Sequence, residues 1–373
     1  MQQQAVNSQR YLALDVLRGM TVALMILVNN PGSWSHIYAP LEHAPWQGCT
    51  PTDLVFPFFL FVVGVSMYFS FAKYGNRLNK DSLLKIGKRT LLIFAIGLFL
   101  NSFPQWSTDF PKLRIMGVLQ RIALAYGISS LIVLSVNKKY LPWLGATILL
   151  AYWGLVVLAG GTDPYSLAGN PASSFDSAIL GVNHIYKGFG IPFDPEGLFS
   201  TIPAVVTVLI GYLIGSLIRE MPKKEVPLIL IIFGIIACGL GALWGLYFPI
   251  SKPIWSSSYV LFTAGQAFIW MAILIWIIDV KGFTGWTSFF VVFGVNPLFI
   301  FAASGLWARI IGRIIHVTIP DGNVVSGSTW LYKTIFVPLA GELNGSLLFA
   351  ISHVALFWLL GYILYKKKIF IKV

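Results

Sequence analysis

RYLALDVLRGMTVALMILVNN, residues 10–30, is an unbroken apolar run with Arg10, Asp15 and Arg18 at one end and Asn29–Asn30 at the other. A helix rises 1.5 Å per residue, so about 20 such residues cross the ~30 Å hydrocarbon core of a bilayer. Runs of that kind recur at 53–73, 86–103, 114–136, 140–159, 197–218, 226–248, 258–280, 284–305 and 345–365. With 11–30 they predict an all-α polytopic membrane protein of about ten transmembrane helices, one integral membrane domain over residues 1–373. The runs are continuous rather than alternating, which argues against a strand barrel. Segments 305–316 and 329–341 are too short or interrupted to span, and an eleventh, re-entrant or interfacial piece is expected there.

Composition agrees. The 373 residues are 57% hydrophobic and 11% charged, whereas soluble domains carry roughly a quarter charged residues. The net charge of +12 would raise nucleic acid as a partner for a soluble chain; here it distributes over two faces of a membrane and no nucleic acid is expected. With the N-terminus inside, seventeen Lys and Arg fall on inside segments against seven outside, while Arg18 and Arg121 lie within spans. The excess places both termini in the cytoplasm. The short loops point to a bacterial inner membrane. The leading MQQQAVNSQR is polar and no small-residue cleavage site follows, so the first span is expected to be retained. Cys49 and Cys238 supply neither a disulfide framework nor metal-ligand spacing, and no HExxH, GxSxG or phosphate-cradling motif is present. No metal is expected.

Polar groups at membrane depth are costly and mark cavities or sites, and they concentrate in the first third of the chain. Asp15 and Arg18 share a helix face and can pair. After the first span comes SWSHIYAPLEHAPWQGCTPTD, with Glu42, His43, Trp46 and Asp53. His43 is the best general base in the chain, because an imidazole titrates near neutral pH. Asn29, Glu42 and Asp53 are candidates to orient it or to bind an amine, and Trp46 suits stacking on a sugar or a place in the interfacial aromatic belt. Further clusters are LRIMGVLQRIALAY (112–126) with Arg114, Gln120 and Arg121; FDPEG (193–197) with Asp194 and Glu196; SKPIWSSSYV (251–260) with Lys252, Trp255 and Ser258; and FGVNPLFIF (293–301), where Asn296-Pro297 interrupts a span.

Taken in order, RYLALDVLRG, VNN, HAPWQGCTPTDLVFPFFLFVVG, RIMGVLQR, FDPEG, SKPIWSSSYV and GVNPL resemble the heparan-α-glucosaminide N-acetyltransferase family. The resemblance implies a short bacterial member. It implies transfer of an acetyl group from cytosolic acetyl-CoA to the amine of glucosamine or a related amino sugar across the membrane. It also places the family's active-site histidine on His43, its asparagine on Asn29 and the Asp of its DLVFP motif on Asp53. VNNPGSW replaces an aromatic residue and glycines of the lysosomal enzyme, so the acceptor pocket rim differs. On this reading Arg10, Arg18, Lys85, Lys88 and Arg89 meet the anionic end of acetyl-CoA, and Gln120 and Arg121 line the groove for its pantetheine arm. Glu42, Trp46, Glu196, Lys252, Trp255, Ser258 and Asn296 meet the acceptor, and the lysosomal relatives imply a homodimer. The competing class is an amino-sugar transporter of the inner membrane, which lacks an inverted repeat here.

Overall fold

The opening apolar run is helix α1 (Leu12–Asn29) in the computed structural model, which describes residues 11–72, 75, 77–104 and 110–371. Tyr11 gives α1 no side-chain cap. Asp279, distant in sequence, accepts the N–H groups of Leu12 and Ala13 at 3.0 Å each, which satisfies donors a helix start leaves open. There follow α2 (Pro51–Phe71), α3 (Lys80–Ser102), α4 (Val118–Ser135), α5 (Leu141–Ala159), the short α6 (Pro171–Leu180), α7 (Thr201–Glu220) and α8 (Val226–Trp244). The chain continues through α9 (Ser257–Leu274, wound on to Val280), α10 (Thr287–Val295), α11 (Pro297–Arg309, wound on to Ile314), a hairpin of β1 (His316–Thr318) and β2 (Val324–Ser326), α12 (Gly327–Leu331) and α13 (Val337–Lys366).

Among the described residues, nine helical stretches are long and apolar enough to cross a membrane. α3 is the remaining predicted crossing. Lys80, Asp81, Lys85, Lys88 and Arg89 make its first half too charged for that class, yet it runs its 23 residues along α4. Gly97 lies against Gln120 and Gly127 against Thr90, an antiparallel register. The protein is an all-α polytopic membrane protein. Large apolar side chains on α5 and α8 face outward, with Trp143 75%, Leu158 85% and Leu228 64% exposed, as a lipid-facing surface requires.

Small residues set the closest approaches. A Cβ on Gly64 of α2 would stand 2.0 Å from the Val208 carbonyl oxygen of α7, and one on Gly211 would stand 2.1 Å from that of Phe61. Only glycine lets the two backbones meet there, and this contact holds α2, which carries the site, against the bundle core.

The predicted span 284–305 is corrected. Gly19 lies against Phe290 and Gly294 against Asp15, so α10 runs antiparallel to α1. The chain then reverses at Asn296 (φ −126°, ψ 52°), and Val292 and Ile300 both come to rest against Gly361. Residues 287–295 are therefore a half-helix, and the crossing is Pro297–Ile314. Proline has no N–H to continue a helix and disfavours helical geometry in the residue before it. The segment left unassigned at 305–316 largely completes this crossing. The other, 329–341, is a helical stretch that bends at Gly341 (φ 76°) and caps the end of the bundle where α1 terminates. There Gly32 donates its N–H to the Ser346 carbonyl at 3.2 Å.

Candidate active site

The loop after α1 and the loop before α9 are tied by a short parallel bridge. Gly48 N–H donates to the Ile250 carbonyl at 2.7 Å, and Ser251 Oγ donates to the Trp46 carbonyl at 2.7 Å. Gly48 takes φ 107°, a backbone region open to glycine. The bridge brings together residues some two hundred positions apart in the sequence.

TPTD, residues 50–53, starts α2 as a capping box. Asp53 Oδ2 accepts the N–H of Thr50 at 3.1 Å, the Thr50 hydroxyl at 3.1 Å and the N–H of Ala44 at 3.0 Å. That spends one carboxylate oxygen on structure and leaves Oδ1 to meet His43 Nδ1 at 2.7 Å. Asp53 is buried, whereas the His43 side chain is 43% exposed. The imidazole is thus anchored through Nδ1 while much of the ring stays exposed. Lys252 Nζ lies 3.0 Å from Nδ1, 3.4 Å from Nε2 and 3.5 Å from Asp53 Oδ1. Burial pushes the Lys252 ammonium below the usual lysine range, although the charges of Asp53 and Glu196 oppose the change. Burial, helped by the Asp53 charge, pushes the neighbouring Cys49 thiol up to about 12, so it stays protonated and unsuited to act as a nucleophile.

Beneath Lys252 the loop turns at Trp255, whose φ of 48° is a costly conformation for a bulky residue. Its indole is held at 1% exposure, donates to Thr207 Oγ1 at 3.2 Å, packs edge-on to Phe56 and lies 5.0 Å from the Arg121 guanidinium. Ser258 is fully buried and donates to the Phe248 carbonyl at 2.5 Å. Trp255 and Ser258, expected to meet the acceptor, instead support the loop that presents Lys252. Trp46 also supports it: its Nε1 donates to the Tyr165 carbonyl at 2.6 Å and its ring packs on Phe189 and Phe193.

Arg114 and Arg121 both reach the 194–200 loop. Arg114 donates to Asp194 Oδ2 at 2.8 Å, Asp194 Oδ1 at 2.6 Å and Glu196 Oε2 at 2.7 Å. Burial alone would lower the guanidinium, but these two carboxylates outweigh it and hold Arg114 above its ordinary value. Asp194 is buried completely. We expect Arg114→Ala to destabilise the fold by about 3–5 kcal/mol, because it leaves that carboxylate unpaired; thermal unfolding in detergent reads the loss. Nearby, burial pushes the Asp176 carboxyl up to about 6.

On the opposite face a cleft of about 470 Å³ opens between α1, α2, α3 and the start of α11. Arg18, Lys85, Lys88 and Arg89 line it, with no acid among the described lining residues. Four of the five residues expected to meet an anionic cofactor therefore converge; Arg10 lies outside the described residues. Arg18 donates to Ser66 Oγ at 2.8 Å, to the Gly294 carbonyl at 3.2 Å and to Asp15 at 3.4 Å. Ser70, Ser66, Val63, Val62 and Phe59 of α2 line the cleft, so it climbs about 16 Å along that helix, and Asp53 is about 9 Å further on. Gln120 and Arg121 do not line it. Both are buried, Gln120 against Gly97, and Arg121 against Trp255 with bonds to the Gly197 carbonyl (3.2 Å) and Ser200. Asn296 is corrected too. It sits at the cleft end, accepting from Ile371 N–H at 2.8 Å and donating to the Ile369 carbonyl at 2.9 Å, far from His43. Asn29 and Glu42 are exposed at the His43 end, and no hydrogen bond among the described residues joins the Asn29 side chain to His43.

A family model described as the catalytic region of heparan-alpha-glucosaminide N-acetyltransferase matches residues 10–248. The chain belongs to this family. Heparan-alpha-glucosaminide N-acetyltransferase of Homo sapiens is 27% identical to it over 98% of the chain and 60% of the relative. The Mus musculus protein of the same name is 26% identical over 98% of the chain and 61% of the relative. The chain thus spans about 60% of the length of these curated relatives. Within the family match lie His43, Asp53 and all four basic residues of the cleft. Lys252 and the cleft residues Val295, Pro297, Leu298 and Ile371 lie beyond it. The sequence reading did not single out Thr50 or Ser66. The T-x-x-D signature gave a signal for the first; nothing in sequence marks the second.

Proposed function

We propose that the protein is a transmembrane N-acetyltransferase that moves an acetyl group from acetyl-CoA, held in the Arg18 cleft, to the amine of glucosamine or a related amino sugar at His43. One observation carries this. A basic cleft entering from one face climbs the same helix, α2, whose opposite end carries a His–Asp pair. That geometry answers the physical problem of bringing a thioester to an acceptor on the other side of ~30 Å of hydrocarbon. Family membership supports the acyl chemistry. Both ends of this arrangement need residues beyond the family match, which favours one integral membrane domain over the whole chain.

In the proposed reaction the amine nitrogen attacks the thioester carbonyl. His43 Nε2 takes the amine proton, the C–N bond forms, the C–S bond breaks and CoA leaves with a proton returned by the imidazolium. Asp53 holds the ring in one tautomer. Asn29, exposed at the same end, is assigned the hydrogen bond to the developing oxyanion, a contact worth about 2.7–4 kcal/mol in comparable sites. An acetyl-imidazole on His43 is the two-step variant of the same chemistry. The Arg18 face is cytoplasmic in this proposal, in a bacterial inner membrane.

Thermal unfolding separates this reading from a carrier. Acetyl-CoA at about a hundredfold excess over its Kd stabilises a binding protein by about 2.7 kcal/mol. We expect a clear rise in Tm with acetyl-CoA or CoA. Stabilisation by glucosamine alone, with its uptake into proteoliposomes, would instead establish a transporter.

A further inference from the structure

We propose that Lys252 is a positioning residue that acts through His43: its ammonium excludes a second proton from the imidazole and so keeps the exposed nitrogen available as a base. The inference rests on the reading of His43 as the proton acceptor.

The argument begins with one hydrogen bond. An ionised carboxylate only accepts, so the 2.7 Å contact between Asp53 Oδ1 and His43 Nδ1 places a proton on Nδ1. The neutral ring then presents a bare Nε2. A further proton on Nε2 would make an imidazolium with the Lys252 nitrogen 3.0 Å and 3.4 Å from its two ring nitrogens. Two positive charges would then share one carboxylate. A His–Asp pair standing alone favours the imidazolium, and a like charge within a few ångströms opposes it.

The groups around the pair leave that competition to Lys252 and Asp53. Glu196 acts on Lys252 through its charge but is engaged by Arg114 at 2.7 Å. Glu42 is exposed and meets the loop through its backbone carbonyl, which accepts from Thr50 Oγ1 at 2.6 Å. Cys49 remains a thiol. Tyr259 donates its hydroxyl to the Asp53 carbonyl at 2.5 Å. The Arg121 guanidinium lies over the Trp255 ring. Lys252 is also held in place: its side chain is 16% exposed, and its loop is closed by Trp255 N–H donating to the Lys252 carbonyl at 3.0 Å and Ser256 N–H donating to the Ser251 carbonyl at 3.1 Å. A lysine recruited only to bind an acceptor has no need of contact with both the base and its carboxylate.

The sign follows directly. With the lysine charge removed, the imidazolium forms more readily, so less free base survives at a given pH and the acid limb of activity moves to higher pH. The test uses the full chain in nanodiscs as wild type, Lys252→Met, Lys252→Gln and Lys252→Arg. Carbethoxylation of His43 by diethyl pyrocarbonate, which reads the unprotonated ring, is followed by mass spectrometry against pH, with His184 and His316 as references in the same molecule. The midpoint at His43 should rise by roughly one to two pH units in the Met and Gln variants and return toward wild type in the Arg variant. The acid limb of kcat/KM should move with it. An unmoved or lowered midpoint, or one that arginine does not restore, overturns the inference. A raised midpoint with an unmoved kinetic limb upholds the role of Lys252 and counts against His43 as the base.

Discussion

Replacing His43 by alanine is expected to lower kcat for acetyl transfer to an amino sugar by about 10²–10⁴-fold, the range a positioned acid–base residue supplies. Acetyl-CoA binding should survive. The imidazole is 43% exposed and its polar contacts within the protein are to Asp53 and Lys252, so little packing is lost with it. Asp53 keeps the N–H donors of Thr50 and Ala44 and therefore keeps its capping role. Asp53→Asn is the informative companion. It retains size and can still accept at the cap, but it no longer fixes the tautomer of His43, and in a comparable triad that change cost about 10⁴-fold. A His43→Ala enzyme that acetylates at the wild-type rate would remove the histidine from the mechanism. A variant with lost acetyl-CoA binding would mean that the residue shapes the cofactor path instead.

The second large effect lies at the other end of α2. Arg18→Met combined with Lys88→Met is expected to raise the Kd for acetyl-CoA about a hundredfold. A hydrogen bond to a charged group contributes about 1.5–3 kcal/mol, and each 1.4 kcal/mol is tenfold. Both side chains line the basic cleft, and neither touches the His43 cluster. KM for the amino sugar should therefore stay within about twofold, and added salt should weaken acetyl-CoA binding in the wild type more than in the double variant. Isothermal titration in detergent, with Tm as the control for folding, checks both statements. A change confined to the acceptor KM would contradict the assignment of the cleft.

Much of this architecture was legible in the chain because a bilayer demands long apolar runs and nothing else produces them so cheaply. Even α3 was visible, since its apolar half begins just after Arg89. The failure at 284–305 is instructive. Hydropathy records that residues 287–309 are apolar but not that the chain reverses at Asn296, and the reversal is secured by bonds to Ile369 and Ile371, more than seventy residues on. The site divides the same way. His43 and Asp53 stand ten residues apart, and Asp53 closes a local capping motif, so the two could be grouped from sequence. The contact of Lys252 with that pair depends on the bridge between Gly48 and Ser251, a tertiary event with no local signature. Arg121 was expected along the pantetheine groove, but the Trp255 ring that lies against it comes from a loop far away in sequence, so its burial had no local signature.

Vectorial transfer tests the central claim most directly. In oriented proteoliposomes with acetyl-CoA confined to the compartment facing Arg18 and glucosamine to the one facing His43, N-acetylglucosamine should appear on the His43 side in the wild type and not in His43→Ala. Product formed only when both substrates share one compartment, or unmodified glucosamine crossing the membrane, would contradict the account.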